Sequence, residues 1–455
     1  MAPRAEPQFV CSKCDAQFLR WTGRCGECGA WSTIQEIGAA SAESGRIETT
    51  DAKPGKTVTF QSLTETSNAP KQSIGFEPLD RVLGGGLVDG SVTLLSGEPG
   101  IGKSTLLAQA ALAAAAGDPS ILYVTGEESP SQVALRLKRL TGQIPSTLEF
   151  LDATDAAMIS ATIREQKPLL TIVDSVQSLF HPEIAGVAGS ISQVKACAGL
   201  ITEAAKRSNT SVILVGQVNK DGDIAGPRLL EHLVDTVLML EGDQDHRFRI
   251  LRVLKHRFGS TEEVSVLTMT EQGLSTVDDP SAELIKERPI QTSGSIITCL
   301  MEGHRPLLME IQALVTPAGY GTPVRRCSGI DAGRLGLLIA VLARRAGINI
   351  LDKDVYVNAA GGLKAKEPAM DLAICLAIAS AVSDVAIDPK TAVFGEVGLG
   401  GEVRPASIPH LRMKECERHG FNRILVPKGS ITDPTSQIVE VATLRDAIDQ
   451  SLVSS

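Results

Sequence analysis

Between Ser73 and Asp278, short β-branched runs alternate with helix-length stretches: SVTLL at 91–95, ILYVT at 121–125, LLTIV at 169–173, SVILV at 211–215 and TVLML at 236–240. Nearly every position in these runs is apolar, as in strands covered on both faces, and the gaps between them leave room for crossover helices. The pattern predicts βαβ units and a mostly parallel sheet. The segment DDPSAELIKERP at 278–289 breaks the alternation and marks a boundary. Beyond it come the apolar runs GSIITCLMEG and PLLMEIQALV, a helical pattern at 335–347, a strand-like VYVNAAGG at 355–362 and a second helical pattern at 369–382, predicting an α+β domain.

The amino-terminal stretches differ in character. Residues 1–35 are too few to bury a core yet hold both tryptophans, Trp21 and Trp31, around four cysteines, so this piece needs a metal to fold. Residues 36–70 follow; GAASAESGRIETTDAKPGK at 38–56 has almost nothing to bury and reads as a flexible linker. The predicted organisation is a C4 zinc finger at 1–35, a linker at 36–70, an α/β domain at 71–280 and an α+β domain at 285–455. No repeat with a period of about 20–50 residues points to a solenoid.

Charge and cysteine usage narrow the partners. Lys and Arg number 44 against 53 Asp and Glu, a formal charge of −9, so a polyanion would have to be held by local patches or by a ring of subunits. The longest strongly apolar stretch, Leu372 to Val382, is far short of the roughly 18–20 residues of a membrane span, and no signal-peptide apolar region opens the chain. Of the nine cysteines, Cys197, Cys299, Cys327, Cys375 and Cys416 scatter among apolar residues as small buried hydrophobes. The odd total and the absence of an export signal favour a reducing cytoplasm over a disulfide framework.

GEPGIGKS at 97–104 matches the phosphate-loop pattern G-x-x-x-x-G-K-[ST] and lies between the strand SVTLL and a helix-like TLLAQAALAAAA. Its glycines, Gly97, Gly100 and Gly102, let the backbone curl around Glu98, Pro99 and Ile101 so that N–H groups point at phosphates, helped by the start of the helix at Ser104 and Thr105. Lys103 should reach the β- and γ-phosphates and Ser104 should coordinate Mg²⁺. Because Mg²⁺ prefers oxygen ligands, a second carboxylate is expected at the end of a buried strand, and Asp174 directly follows LLTIV. Hydrolysis also needs a carboxylate to deprotonate or orient water. YVTGEES at 123–129 offers two, of which Glu127 is favoured over Glu128 as the catalytic base.

The pairs CSKC and CGEC, spaced C-x2-C-x10-C-x2-C, supply Cys11, Cys14, Cys25 and Cys28 as four thiolates on two knuckles. That donor set suits tetrahedral Zn²⁺ with no open position, hence a structural site. A redox CxxC would sit beside a βαβ pattern, which this region lacks.

The run SIGFEPLDRVLGGGLVDGSVTLLSGEPGIGKST at 73–105 resembles the entry to RecA-like ATPase cores. The resemblance places Glu127 where that superfamily keeps its catalytic glutamate, and Gln217, at the end of SVILV, where a polar residue senses the γ-phosphate; a plain strand-end cap is the alternative for Gln217. It also makes the loop bearing Lys220 and Arg228 a candidate channel lining in contact with DNA phosphates, or simply solvated charge. LKHRFG at 254–259 resembles, in four of five positions, the Lys-Asn-Arg-Phe-Gly motif of the bacterial DNA repair family called RadA or Sms, with His256 replacing the asparagine. Lys255 and Arg257 are then candidate trans-acting fingers to a neighbouring subunit's nucleotide, the alternative being a basic edge strand. WTGRCGECGAWST resembles the same family's amino-terminal finger.

Residues from about 294 to the carboxy terminus resemble the proteolytic domain of Lon, but Ala369 stands at the serine position in KEPAMDLAI and His410 at the lysine position after GEVGLGGEVRP. Without nucleophile and base no acyl-enzyme forms; Lys364, Lys366, Ser380 and Ser383 are the residues from which a displaced dyad would have to come. Arg325, Arg326, Arg344 and Arg345 are candidates for a DNA-binding face. The expected fold is therefore a RecA-like P-loop ATPase core after a C4 zinc finger and before a degenerate Lon-like α+β domain. The resemblance implies a cytoplasmic, DNA-dependent ATPase and translocase with structural Zn²⁺ and Mg²⁺-ATP. It would form a hexameric ring that acts on single-stranded DNA and branched recombination intermediates with the RecA recombinase, without a membrane. A KaiC-like signalling ATPase and an ATP-dependent protease are the competing readings.

Overall fold

The computed structural model describes residues 9–11, 17–18, 20–26, 29–36, 71–117, 119–217, 230–242, 248–289, 291–319, 321–361, 367–430 and 437–452. At the amino terminus β1 (Phe9–Cys11), β2 (Gln17–Phe18) and β3 (Ile34–Glu36) form an antiparallel sheet in the order β2-β1-β3. Its core among the described residues is Cys11, Cys25 and Ile34, with Phe9 and Phe18 against them, far too little to fold without a further crosslink.

The next domain contains α1 (Glu77–Val82), β4 (Val92–Gly97), α2 (Lys103–Ala114), β5 (Ile121–Thr125), α3 (Pro130–Thr141), β6 (Leu148–Asp152), α4 (Ala156–Gln166), β7 (Leu170–Asp174), α5 (Ile191–Ser208), β8 (Ser211–Gln217), β9 (Thr236–Glu241), β10 (Phe248–His256), β11 (Val264–Thr270) and β12 (Gly273–Thr276). These strands make one sheet in the order β12-β11-β10-β9-β4-β8-β7-β5-β6. From β9 to β6 all pairings are parallel, while β10, β11 and β12 add an antiparallel meander. The five predicted runs are β4, β5, β7, β8 and β9. β6, LEFLD, is an edge strand whose two acids, Glu149 and Asp152, are exposed, so it has no continuous apolar signature.

Helices cover both faces, as parallel strands require. On one side, residues of α1, α2 and α3, including Leu79, Leu106 and Leu137, pack on Leu95, Tyr123 and Ile172. On the other, α4 and α5 residues such as Ile159 and Ile201 pack on Leu94, Val124 and Leu214. α3 starts cleanly because Ser129 and Gln132 form a reciprocal capping box.

The carboxy-terminal domain holds α6 (Pro280–Ile285), β13 (Ser295–Glu302), β14 (Arg305–Pro317), β15 (Arg325–Ser328), α7 (Ala332–Val341), β16 (Lys353–Ala359), α8 (Asp371–Ser383), β17 (Thr391–Val393), β18 (Glu396–Val397), β19 (Val403–Arg404), α9 (Pro409–Arg418), β20 (Arg423–Pro427), β21 (Ile438–Val441) and α10 (Leu444–Ser451). Its main sheet runs β15-β16-β14-β13-β17-β20-β21. α8 is buried from Asp371 through Ser380, which explains why its sequence is apolar all round. The helix expected over 335–347 instead starts at Ala332, where Asp331 caps the Arg334 N–H, and passes into a π-turn at Leu342–Ala346.

The polar stretch 278–289 is more than a boundary. It folds into α6, whose Ser281 hydroxyl donates to Glu415 (2.6 Å) and accepts the Leu308 N–H (3.1 Å), so this helix packs into the carboxy-terminal domain five residues before the expected start at 285. The two large domains share a core: Phe248 and Ile250 of β10 and Val264 and Val266 of β11 cluster with Ile296, Met309 and Leu335. Arg252 clamps the junction, reaching Glu241 at 3.0 Å and Glu302 at 2.9 Å. Among the described residues no helix is long and apolar enough to cross a membrane.

Candidate functional site

β4 is buried at every residue and delivers the chain to Gly97, where the phosphate loop begins. A Cβ on Gly97 would lie 2.5 Å from the Leu240 carbonyl oxygen, and Gly100 and Gly102 take φ of +75° and +114°, so the curl requires glycine at these points. Glu98 and Pro99 are exposed at the tip, Ile101 is buried beneath it, and Ser104 and Thr105 are half-buried in the first turn of α2. Buried Arg249 of β10 donates to the Ile101 carbonyl at 2.9 Å, holding the loop from below. Lys103 folds its ammonium back onto the carbonyls of Gly97 (2.8 Å) and Glu98 (2.9 Å). Burial depresses its pKa, opposed by the carboxylates of Asp174, Glu127 and Glu98. Phosphate oxygens entering the loop would offer that ammonium stronger, charged acceptors than two neutral carbonyls.

Asp174 ends β7 beside this loop. The Tyr123 hydroxyl donates to its carboxylate at 3.1 Å, and the Ser104 hydroxyl lies close enough to act on its charge. Burial raises the Asp174 pKa, and the Ser104 and Tyr123 hydroxyls pull it back down. A hydroxyl and a carboxylate side by side at a helix start form a hard-oxygen donor set of the kind Mg²⁺ takes, so the residues present fit that ion.

The adjacent acids after β5 turn to different partners. Glu128 pairs with Arg136 of α3 at 2.5 Å, and its carbonyl accepts from the Thr125 hydroxyl at 2.5 Å. Glu127 instead accepts from the Ser175 hydroxyl, just beyond β7, and from the Gln217 amide at the end of β8. Lys103, Ser104, Asp174, Glu127 and Gln217 thus converge at the carboxyl ends of β4, β5, β7 and β8. Ser175, Tyr123 and Arg249 also belong to this environment; single hydroxyls and one arginine within ordinary strand context carry no motif by which a sequence reading could have found them.

Lys255 and Arg257 lie elsewhere. β9 runs parallel to β4 with Thr93 opposite Thr236 and Gly97 opposite Leu240, while antiparallel β10 sets His256 opposite Thr236. Lys255, His256 and Arg257 therefore sit level with the start of β4, a strand length of roughly 13 Å from its phosphate-loop end at about 3.3 Å per residue. Lys255 donates to the carbonyls of Glu231 and Val234. Arg257 pairs with buried Asp235 at 3.1 Å, and that carboxylate also accepts the Val92 N–H at 3.1 Å. His256 bridges the Thr236 hydroxyl (2.9 Å) and the Leu83 carbonyl (3.2 Å), and burial lowers its pKa. Gly259 lies against the same ring, since a Cβ there would be 2.7 Å from it.

In the carboxy-terminal domain Ala369 is buried and His410 is exposed. The Ser380 hydroxyl is committed to the backbone, donating to Val385 (2.5 Å) and accepting from Gly294 (2.8 Å), and the Ser383 hydroxyl donates to Ala379. Arg325, Arg326, Arg344 and Arg345 are exposed, Arg345 reaching the Leu399 carbonyl at 3.3 Å. In the amino-terminal sheet Cys11 and Cys25 are buried together, and the Gly29 N–H donates to the Cys25 carbonyl (3.0 Å) in a tight turn, a thiol-lined knuckle that fits zinc. Cys14, Cys28, Lys220, Arg228, Lys364 and Lys366, and residues 37–70 of the expected linker, lie outside the described residues.

Comparison with known proteins covers the same three regions. The chain matches the family of AAA domains over residues 60–223, the rubredoxin metal binding domain over residues 9–36 and subunit ChlI of Mg-chelatase over residues 339–430. It is 42% identical over 460 residues to the DNA repair protein RadA of Bacillus subtilis, spanning 99% of each chain. Identity to the RadA of Escherichia coli is 42% over 456 residues, with 98% of this chain and 99% of the relative covered. Against the RadA of Aquifex aeolicus it is 42% over 442 residues, covering 97% and 98%.

Proposed function

The chain belongs to the RadA family of DNA repair proteins and carries an AAA domain, and on that premise we propose that it is a DNA-dependent ATP hydrolase that translocates on single-stranded DNA. In this reading it works in the cytoplasm as a hexameric ring and branch-migrates recombination intermediates together with the RecA recombinase. The observation that carries the ATPase reading is the meeting of Lys103, Ser104, Asp174 and Glu127 at adjoining strand ends.

The residues divide the work as follows. The loop backbone from Gly97 to Gly102 cradles the phosphates, and Lys103 exchanges its carbonyl partners for phosphate oxygens. Ser104 and Asp174 would hold Mg²⁺, which when bound neutralises charge on the β- and γ-phosphates. Glu127 takes the proton of the attacking water, while Ser175 and Gln217 orient its carboxylate. Gln217, between that carboxylate and the space above the loop, registers whether a γ-phosphate is present.

Lys255 and Arg257 stand a strand length from their own phosphate loop, which supports a role in trans, at the nucleotide of a neighbouring ring subunit. A ring would also gather Lys220 and Arg228 of every subunit around DNA, reconciling nucleic-acid binding with a net charge of −9. Cys11, Cys14, Cys25 and Cys28 hold a structural zinc. The carboxy-terminal domain serves assembly rather than proteolysis, because Ala369 offers no nucleophile and the Ser380 hydroxyl is bonded to backbone. Casein should therefore remain intact in the presence of ATP.

Steady-state ATP hydrolysis by the zinc-loaded chain, with and without single-stranded DNA at two salt concentrations, tests the reading. Stimulation by DNA that declines with salt is the expected result. A slow rate indifferent to DNA would instead fit a KaiC-like signalling ATPase.

A further inference from the structure

Both tryptophans of the chain, Trp21 and Trp31, lie between β2 and β3 of the amino-terminal sheet and are 62% and 71% exposed. They lie together: a Cβ on Gly23 would be 3.8 Å from the Trp21 ring and 3.9 Å from the Trp31 ring. Backbone pairing keeps them there, with Arg24 bridged to Trp31 and the Ser32 N–H donating to the Gly23 carbonyl at 2.9 Å. The Arg24 guanidinium stands over the Trp31 ring, 5.9 Å from its centroid, and its Nε is anchored to the Gly29 carbonyl at 3.0 Å. Arg20 is exposed next to Trp21. The described residues from 20 to 33 contain these two arginines and no carboxylate, Glu27 lying outside the described residues.

A domain short of apolar residues has every reason to bury indoles, and two left outward side by side are a surface kept for a partner. Broad π faces interleaved with guanidinium groups match unstacked bases joined by phosphates. Duplex DNA offers no free base faces, and an acidic protein surface would leave the ring faces unused. We propose that Trp21 and Trp31, with Arg20 and Arg24, form a stacking platform for single-stranded nucleic acid, separate from the ATPase domain. For the supply of single-stranded DNA this rests on the proposed function above.

Because no other tryptophan exists in the chain, its emission reports this platform alone. The test titrates the full-length, zinc-loaded protein with a thymidine oligonucleotide, following tryptophan emission and, in parallel, the anisotropy of the labelled oligonucleotide. The expected result is quenching that saturates with the anisotropy change. Trp21→Ala and Trp31→Ala should each weaken binding about tenfold, as loss of one base stack does, while Trp21→Phe and Trp31→Phe keep most of the affinity. Anisotropy that rises without any change in emission overturns the platform and leaves the ATPase reading standing. No anisotropy change at all overturns both. Emission that responds to added RecA recombinase but not to the oligonucleotide overturns it in favour of a protein-docking face. Should an alanine variant lose its zinc, the wild-type emission titration decides the question by itself.

Discussion

The Gln217 side-chain amide lies 3.4 and 3.5 Å from the two carboxylate oxygens of Glu127, across three adjoining strands of the parallel sheet. Ser175, from the strand between them, donates to the same carboxylate. The group proposed to sense a γ-phosphate therefore also contacts the proposed base.

Glu127→Gln should lower the turnover number about 10²–10⁴-fold with nucleotide affinity retained, since a general base acts in the chemical step. Ser175→Ala and Gln217→Ala should cut turnover less, and Ser175→Thr should restore it. Single-turnover hydrolysis beside binding of a non-hydrolysable analogue measures both quantities. A larger loss from Glu128→Gln than from Glu127→Gln would reverse the assignment, because Glu128 is already spent on Arg136.

Lys103→Ala should abolish nucleotide binding, whereas Arg257→Ala should bind nucleotide and fail to turn it over. If Arg257 acts on a neighbouring subunit, mixing the two inactive variants should restore part of the DNA-stimulated ATPase, since some interfaces then join an intact loop to an intact finger. Mixtures as inactive as either parent sink the trans role.

Chelation of zinc should release one metal per chain and expose β1 and β3 amides to rapid hydrogen exchange while β4 and β8 amides stay protected. The contrast follows from core size: Cys11, Cys25 and Ile34 on one side, a two-faced parallel sheet on the other. Exchange measured by mass spectrometry before and after chelation checks it.

Arg412 is fully buried, paired with Glu367 and bonded to the carbonyls of Cys299 (2.5 Å) and Ser407 (2.8 Å). Arg412→Ala leaves the carboxylate and two carbonyls without their donor and should cost about 3–5 kcal/mol. Thermal unfolding should show the loss, and an unchanged melting temperature would refute the buried pair.

Gly303, in the turn of the β13–β14 hairpin, has φ +60°, and a Cβ there would lie 1.9 Å from the Glu262 carbonyl oxygen. Gly303→Ala should push the hairpin off the loop between β10 and β11 and cost on the order of 1–3 kcal/mol in urea unfolding. The effect should be cooperative across both large domains because they share one core.

Much of this protein was legible in its sequence because local rules operate there. Buried parallel strands must be apolar throughout, so β4, β5, β7, β8 and β9 stood out, and a phosphate loop must place glycine where the backbone turns left-handed, as Gly100 and Gly102 do. Edge strand β6 and helix α6 escaped notice because half-exposed elements mix polar and apolar positions without a clear period.

Composition and motif spacing determined the class of each region, the phosphate loop, Asp174 and the cysteine quartet, since each depends on neighbours close in the chain. Only the tertiary structure decided which of Glu127 and Glu128 faces the loop, that Ser175 and Gln217 hold the former, and that Lys255 and Arg257 lie at the far end of the sheet from their own nucleotide site. These are relations between strands whose order in the sheet differs from their order in the chain. Register and strand order are settled by packing of the entire core, and no local pattern carries them.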